Sequence, residues 1–490
     1  MKDETFPKGG RSTIKQPQFP LFGYIYLGLS VWLQFVWGGV KAAKILLLVD
    51  ELKFSENEAV IIIHLQASLM DLVMCFGNIL ANLYCGPYIA CLLQEVLKAF
   101  FTCPICTLAT MGLIELDGRR KLYLIGQAIG VLTAFANSSL ASFLSDQFNE
   151  PNYVKFNRTQ IIITMACSAL GIFTVPHLIQ YYQCFWTETC YSMVWLCEWA
   201  GCVITLFIFI ILCKKLQCRK PKYSATYMLL TLARDASKKK KLEVSAGGVS
   251  DRPLMEYSNL YTPKFRRDAQ KMLSMWTFYF PLAGFWALHS QQSTTWVLQA
   301  KKLDGNLYDW STVLPNELWG IIPLTGIAIR MGILSFVGEA KYPLRMTVFS
   351  QLILAFAFLL AALLEKYIMD LGDQQVHIVW TLPQLLLVSF SDITLVISYR
   401  KFIIREVPAS FRGVTQTLFL LSRCLGNAIV VLVNVMEMQT KFPNRLGQFI
   451  FYATVVNLFL IMYIVMSRKF ERLLLHEKES QAGPSTSRKS

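Results

Sequence analysis

The sequence predicts an all-α membrane protein with twelve transmembrane helices in a six-plus-six arrangement. Three observations carry this. Over 490 residues, 54% of side chains are hydrophobic and only 16% are charged, and the mean hydropathy of +0.42 is far from that of an ordinary soluble domain. The apolar residues fall in runs of about 20, the length of helix that crosses a hydrocarbon core. One long polar stretch, 214–271, divides those runs into two groups.

A polar tail, 1–20, precedes the first group. The runs near 21–48, 59–83, 88–112, 122–145, 159–181 and 191–213 form a predicted N-terminal bundle, 21–213. The first of them is too long for the apolar core of a signal peptide, so it is expected to be retained. After the basic linker 214–271, the runs near 273–299, 312–336, 345–364, 377–399, 412–435 and 447–466 form a predicted C-terminal bundle, 272–466. The tail 467–490 ends in a Ser-, Gly- and Lys-rich stretch that favours disorder.

Twelve spans place both termini and the linker on one side of the membrane. That side holds Lys2, Lys8, Arg11, Lys15, Lys214, Lys215, Arg219, Lys220, Lys238 to Lys241, Arg266, Arg267, Arg468, Lys469 and Arg472, so it is predicted to be cytoplasmic. Much of the net charge of +15 lies in these segments, where it sets topology and meets anionic lipid. Nucleic acid is not an expected partner; the run Lys238 to Lys241 reads as a solvated or lipid-facing tether. The chain is expected to be a multi-pass protein of the plasma membrane or an endolysosomal membrane.

Most of the thirteen cysteines lie inside apolar spans, where a thiol behaves as a small hydrophobe. Cys103 and Cys106 have redox-motif spacing but fall in the third span, which favours a structural role. Cys184 and Cys190 fall in a predicted outside loop and are candidates for a disulfide. No P-loop, nucleophile–base arrangement or metal-ligand spacing is present, so neither an enzyme nor a metal or cofactor site is expected.

The most informative stretch runs from Phe285 to Ala300, a polar patch inside the seventh span. Gln291, Gln292 and Gln299 would lose water in a bilayer core, so they are expected to face a bundle interior or an aqueous cavity. With Trp286 and Trp296 beside them they read either as the lining of a solute pocket or as interhelical glue. The stretch resembles the seventh helix of the proton-dependent oligopeptide transporters, solute carrier family 15, whose animal peptide carriers read F-W-A-L-x-D-Q-Q-x-x-R-W-x-L-Q-A. Ten of those residues recur here in order and spacing.

The likeness extends along most of the chain. Phe143 to Phe148 resembles the F-G-G-D-Q-F signature of helix four, and Gly39-Val40-Lys41-Ala42 resembles the Y-G-M-K-A of helix one. His64 lies eighteen residues before Asn82, the interval between the His and Asp of the carriers' second helix. Pro383-Gln384, Pro408 and Gly426-Asn427 match spacings in helices ten and eleven. The resemblance implies a major-facilitator fold, two six-helix bundles around a cavity open alternately to each side. It implies transport of small peptides or peptide-like solutes by a symporter, with a transport-inactive membrane sensor or scaffold as the alternative. The large outside domain between helices nine and ten of the animal carriers is reduced to about 365–376.

Departures from the family pattern bear on mechanism. The E-x-x-E-R of helix one aligns with Ser30, Leu33 and Gln34; the lysine of helix four with Asn137; the glutamate of helix ten with Lys401. The Asp and Arg of helix seven become Ser290 and Thr295, and the Tyr and Asn of helix five become Thr164 and Ser168. A dipeptide zwitterion needs a fixed anion and a fixed cation, and the inherited pair is gone, so coupling to protons by the family's route is in doubt. The resemblance makes Gln291, Gln292, Trp286, Trp296, Asn137, Thr164, Ser168 and Lys401 candidate solute-binding residues. His64 is either a proton carrier or a histidine satisfied by a neighbour. Asp71, Glu95, Glu198, Arg330, Asp392 and Arg423 are charges within spans and should face inward, some paired. Asp392 is either a replacement acid for proton coupling or a partner of Arg330 or Arg423, and Lys401 either attracts an anionic solute or belongs to the basic cluster with Arg400 and Arg405.

Overall fold

The computed structural model describes residues 20–218, 225–247, 252–308, 311–336, 343–408, 411–440 and 445–482. The expected tails therefore lie largely outside the described residues, as do the side chains of Asn82 and Arg330. Among the described residues, ten helices are long and apolar enough to cross a membrane. They correspond to sequence spans one to six and nine to twelve.

The first crossing is α1 (Pro20–Leu46), and α2 (Glu56–Leu80) returns. The third is α3 (Gly86–Leu97) continued by α4 (Cys103–Thr110), and the fourth is α5 (Leu116–Thr133) continued by α6 (Asn137–Asp146). The fifth is α7 (Glu150–Tyr181) and the sixth α8 (Tyr191–Leu212). Helix α1 lies along α7 because small residues let the backbones meet: a Cβ on Gly171 would stand 1.9 Å from the Phe35 carbonyl oxygen, and one on Gly38 2.5 Å from that of Ser168.

The linker is not structureless. It carries α9 (Ala225–Ser245), whose Leu229, Leu232 and Ala236 are buried against the following turn and the second half. Next comes α10 (Pro263–Tyr279), capped by the Thr262 hydroxyl accepting from the Phe265 amide.

The seventh span, read from sequence as one helix over 273–299, is broken. After α10, Pro281 interrupts the ladder and α11 (Leu282–His289) begins. A tight turn over Ser290–Ser293 follows, then Thr294 at φ −132°, ψ −87°, and finally α12 (Thr295–Ala300). Span eight is the shorter helix α13 (Ile321–Phe336), preceded by a small antiparallel hairpin, β1 (Asn306–Tyr308) and β2 (Ser311–Thr312), in a connecting loop. The remaining crossings are α14 (Pro343–Leu371), α15 (Leu382–Glu406), α16 (Arg412–Thr440) and α17 (Arg445–Ala482). Helix α17 outruns its sequence-predicted end near 466, since Glu, Lys, Arg and Leu sustain a helix beyond the apolar run and Phe470 packs on Phe402.

Two seams join the halves. Helix α2 lies along α16, and α7 along α13. At the end carrying residues 50, 301 and 445, cross-half pairs link Asp50 with Lys301, Glu56 with Arg445, and His177 with Glu317 at 2.5 Å.

Candidate functional site

Five elements bring ionisable side chains together within the spans. Lys41 of α1 is solvent-accessible, with its ammonium 4.5 Å from the ring centre of Trp319 and 5.3 Å from that of Trp37. His289, at the end of α11, places Nε2 3.5 Å from Asp392 Oδ1 on α15. Arg423 of α16 pairs with Asp71 of α2 at 3.2 Å and lies over Trp286 at 5.6 Å. Lys41 and His289 each lie within electrostatic reach of Asp392 and Arg423, and of each other.

Accessibility orients this cluster. The side chains of Arg423 and Asp392 are 41% and 31% exposed, against 2% for Asp71. A charge at this depth that still meets solvent faces a watery space between helices, because facing lipid is far more costly. The cluster draws on both halves, so it borders the space where they meet. Chemically it offers two cations, Lys41 and Arg423, an acid, Asp392, and an imidazole able to exchange a proton with that acid.

His64 occupies a different setting. It is 1% exposed, with Nδ1 2.8 Å from Asn427 Oδ1 and Nε2 3.0 Å from Thr294 Oγ1. Asn427 Nδ2 donates to the Arg423 carbonyl at 3.1 Å, which turns Oδ1 toward the ring to accept from Nδ1–H. Nε2 is then left to accept from the Thr294 hydroxyl, so the neutral ring is fully satisfied. Ser68 continues the seam, donating to the Cys424 carbonyl at 3.0 Å.

The sequence-predicted residues separate. Trp286 touches the cluster through Arg423 and His289, and Gln292 Nε2 stands 3.3 Å from His289 Nε2 with its oxygen unpartnered among the described residues. Gln291 turns back on its own helix, donating to the Ala287 carbonyl and accepting from Thr295. Trp296 packs against Phe358 of α14, inside the second half, because the break at Thr294 resets the rotation of α12. Gln299 likewise serves that interior, donating to Glu365 at 2.9 Å and to the Ala361 carbonyl.

The remaining candidates make contacts other than with the cluster's ionisable groups. Thr164 bonds to the Gln160 carbonyl of its own helix, and Ser168 lies against Gly38 in the α1/α7 seam. Asn137 is exposed, with its amide nitrogen 3.9 Å from the Met74 sulfur. Lys401 is half-buried, with Arg405 further along the same helix. Glu95 pairs with Lys98 one turn away at 3.8 Å. Cys184 and Cys190 form a disulfide with Cα atoms 4.9 Å apart.

Sequence reasoning passed over His289 and did not single out Lys41. His289 stands at a variable position of the family pattern, so the resemblance is silent about it. The usable signal was a second ionisable residue beside the polar patch.

A family model described as PTR2, POT family, matches residues 120–450, more than half of the chain. The chain belongs to the POT family. Peptide transporter 3 of Caenorhabditis elegans is 24% identical over 375 residues, covering 72% of this chain and 51% of that protein. Human solute carrier family 15 member 2 is 24% identical over 363 residues, covering 70% and 48%. The chain thus spans about half the length of the curated relatives it matches. Solved POT-family structures share the fold: PepTSo superposes with a TM-score of 0.75 at 15% identity, covering 93% of this chain and 99% of that one. An autoinhibited peptide transporter gives 0.73 at 16% identity, covering 91% and 96%. These likenesses establish a multi-pass, helical POT-type transporter fold.

Proposed function

We propose that this POT-family protein is a secondary transporter that carries small peptides or peptide-like organic solutes through the space bordered by Lys41, His289, Asp392 and Arg423. The observation that carries the reading is that cluster itself, with solvent-accessible charges of both signs contributed by both halves. Its cations suit a solute carboxylate and Asp392 suits an amino group. Relatives are peptide transporters, and POT-family structures hold 5-aminolevulinic acid, alafosfalin or a thioalcohol-conjugated peptide, small molecules of compatible chemistry.

Proton coupling, on this reading, does not use the family's helix-one acids, which are Ser30 and Leu33 here. It rests on His289 and Asp392, faced by Lys41 from α1, by Arg423 from α16 and, behind Arg423, by Asp71 from α2. The end bearing the basic linker is cytoplasmic by its charge, and the disulfide-bearing end faces outside. In the conformation described, the Asp50–Lys301 and Glu56–Arg445 ion pairs and the polar contact of His177 with Glu317 hold the outer end shut.

The test is uptake by proteoliposomes containing the full chain, with and without an inward proton gradient. Saturable uptake of a dipeptide or 5-aminolevulinic acid that falls at least tenfold in Lys41→Gln supports the site. A charge-assisted contact is worth about 1.5–3 kcal/mol, which sets that factor. Absence of uptake for any such solute would instead favour a transport-inactive role.

A further inference from the structure

A second cavity, of about 740 Å³, opens at the end of the molecule that bears the disulfide, and shares no lining residue with the central cluster. One wall comes from the first half, through Asp50, Glu51, Lys53 and Arg119, and the loop 186–189. The other comes from the second half, through Lys301 and Asn316. Its volume falls within the range of small-molecule sites.

The wall is built, not incidental. The loop between α7 and α8 is pinned by the Cys184 to Cys190 disulfide, by Gly112 donating to the Phe185 carbonyl at 3.1 Å, and by Thr189 donating to Glu51 at 2.9 Å. Gly112 is required there, since a Cβ would stand 2.3 Å from the Trp186 carbonyl oxygen. The result holds the Trp186 ring out at the rim, 78% exposed.

Three groups lining this cavity share one preference. Asn316 is 2% exposed, yet its side-chain oxygen has no hydrogen-bond partner among the described residues, and a buried acceptor left unpaired is costly unless a donor arrives. Asp50 and Glu51 are engaged by Lys301 and Arg119, whereas neither Glu188 nor Lys53 has an ion-pair partner among the described residues. A carboxylate, an orphan amide oxygen and an indole face are all groups that recognise a cation with N–H donors.

We propose that this cavity is a binding site for the ammonium group of a small amino-acid or peptide zwitterion, distinct from the central cluster. Glu188 and Asn316 receive the ammonium, Trp186 covers it, and Lys53 takes the carboxylate. Because the walls come from opposite halves, parting them at this end dismantles the site. A bound solute therefore stabilises the closed end, as any ligand favours the state it binds better.

The experiment needs binding only, so it stands whether or not the chain transports. Purified full-length protein in nanodiscs is photolabelled with benzoylphenylalanyl-glycine carrying a free amino terminus, and the adducts are mapped by mass spectrometry. Label is expected in 183–191 or 314–316, competed by phenylalanyl-glycine, and reduced about tenfold at subsaturating probe by N-acetylation or by Glu188→Gln. Trp186→Ala should also lower it, while Asp392→Asn should not. Label confined to the central helices, or label at the loop indifferent to both acetylation and Glu188→Gln, overturns the proposal. Since Glu188 and Trp186 are exposed, neither substitution threatens folding.

Discussion

Two histidines from the same interface live in opposite surroundings. His64, in the α2/α16 seam, is 1% exposed and both ring nitrogens meet neutral partners, Asn427 and Thr294. His289, in the central cluster, has 17% side-chain exposure and looks at the acid Asp392. The first is positioned to hold halves together, the second to trade a proton with solvent and an acid. Position within a family pattern pointed to His64; surroundings point to His289.

The seam is the place to break this contrast most forcefully. Arg423→Ala leaves Asp71 buried without its cation, and breaking a buried pair in this way costs about 3 kcal/mol at the lower end of the usual range, since Arg423 is itself partly exposed. A marked drop in thermal unfolding temperature in nanodiscs is expected, with substantial recovery in Asp71→Asn/Arg423→Gln. An unchanged midpoint in Arg423→Ala would mean the seam does not depend on the pair.

A smaller effect separates a latch from a proton carrier. Asn427→Ala removes the acceptor for His64 Nδ1–H and should cost about 1–2 kcal/mol. It should also raise the accessibility of a cysteine placed at Thr295 to an impermeant thiol reagent, since the end joined by the Glu56–Arg445 pair is then held less firmly. If stability falls but accessibility does not move, His64 is only a packing residue.

The smallest effect lies outside both regions and serves as a control. Asp235 of α9 accepts from Ser258 at 2.5 Å and pairs with Lys239 at 2.9 Å, and these contacts, Ser258 foremost, hold its carboxyl below the usual range. A depressed folded pKa contributes stability that is present above the unfolded value, about 3.9, and is lost as pH falls through the folded one. Proteolysis of the linker should therefore be steady from neutral pH down to about pH 4 and increase only below it. Asp235→Asn should weaken docking by no more than about 1 kcal/mol at neutral pH, with uptake unaltered.

Much of the fold was legible because apolar runs of membrane-spanning length and a polar divider are coarse features that packing cannot disguise. The exception is instructive. Span seven reads as continuous because Leu288, Val297 and Leu298 keep the apolar pattern going, yet Pro281 and the turn at Ser290–Ser293 divide it, and that division sends Trp296 into the bundle interior. The site was legible only as a neighbourhood. Trp286 and Gln292 do touch the cluster, but the contact between His289 and Asp392 joins residues about a hundred positions apart, and no spacing rule within one helix reveals it. Ser168 shows the converse: an aligned position whose local neighbour, Gly38, makes it a packing residue.

The most direct measurement is the pH dependence of solute uptake in proteoliposomes for the wild type, His64→Gln and His289→Gln, across about pH 5 to 8, where histidine changes charge. The account predicts that His64→Gln keeps the wild-type pH profile at a reduced rate, while His289→Gln flattens it. A flat profile in His64→Gln with an intact one in His289→Gln would return proton exchange to the seam and contradict the account.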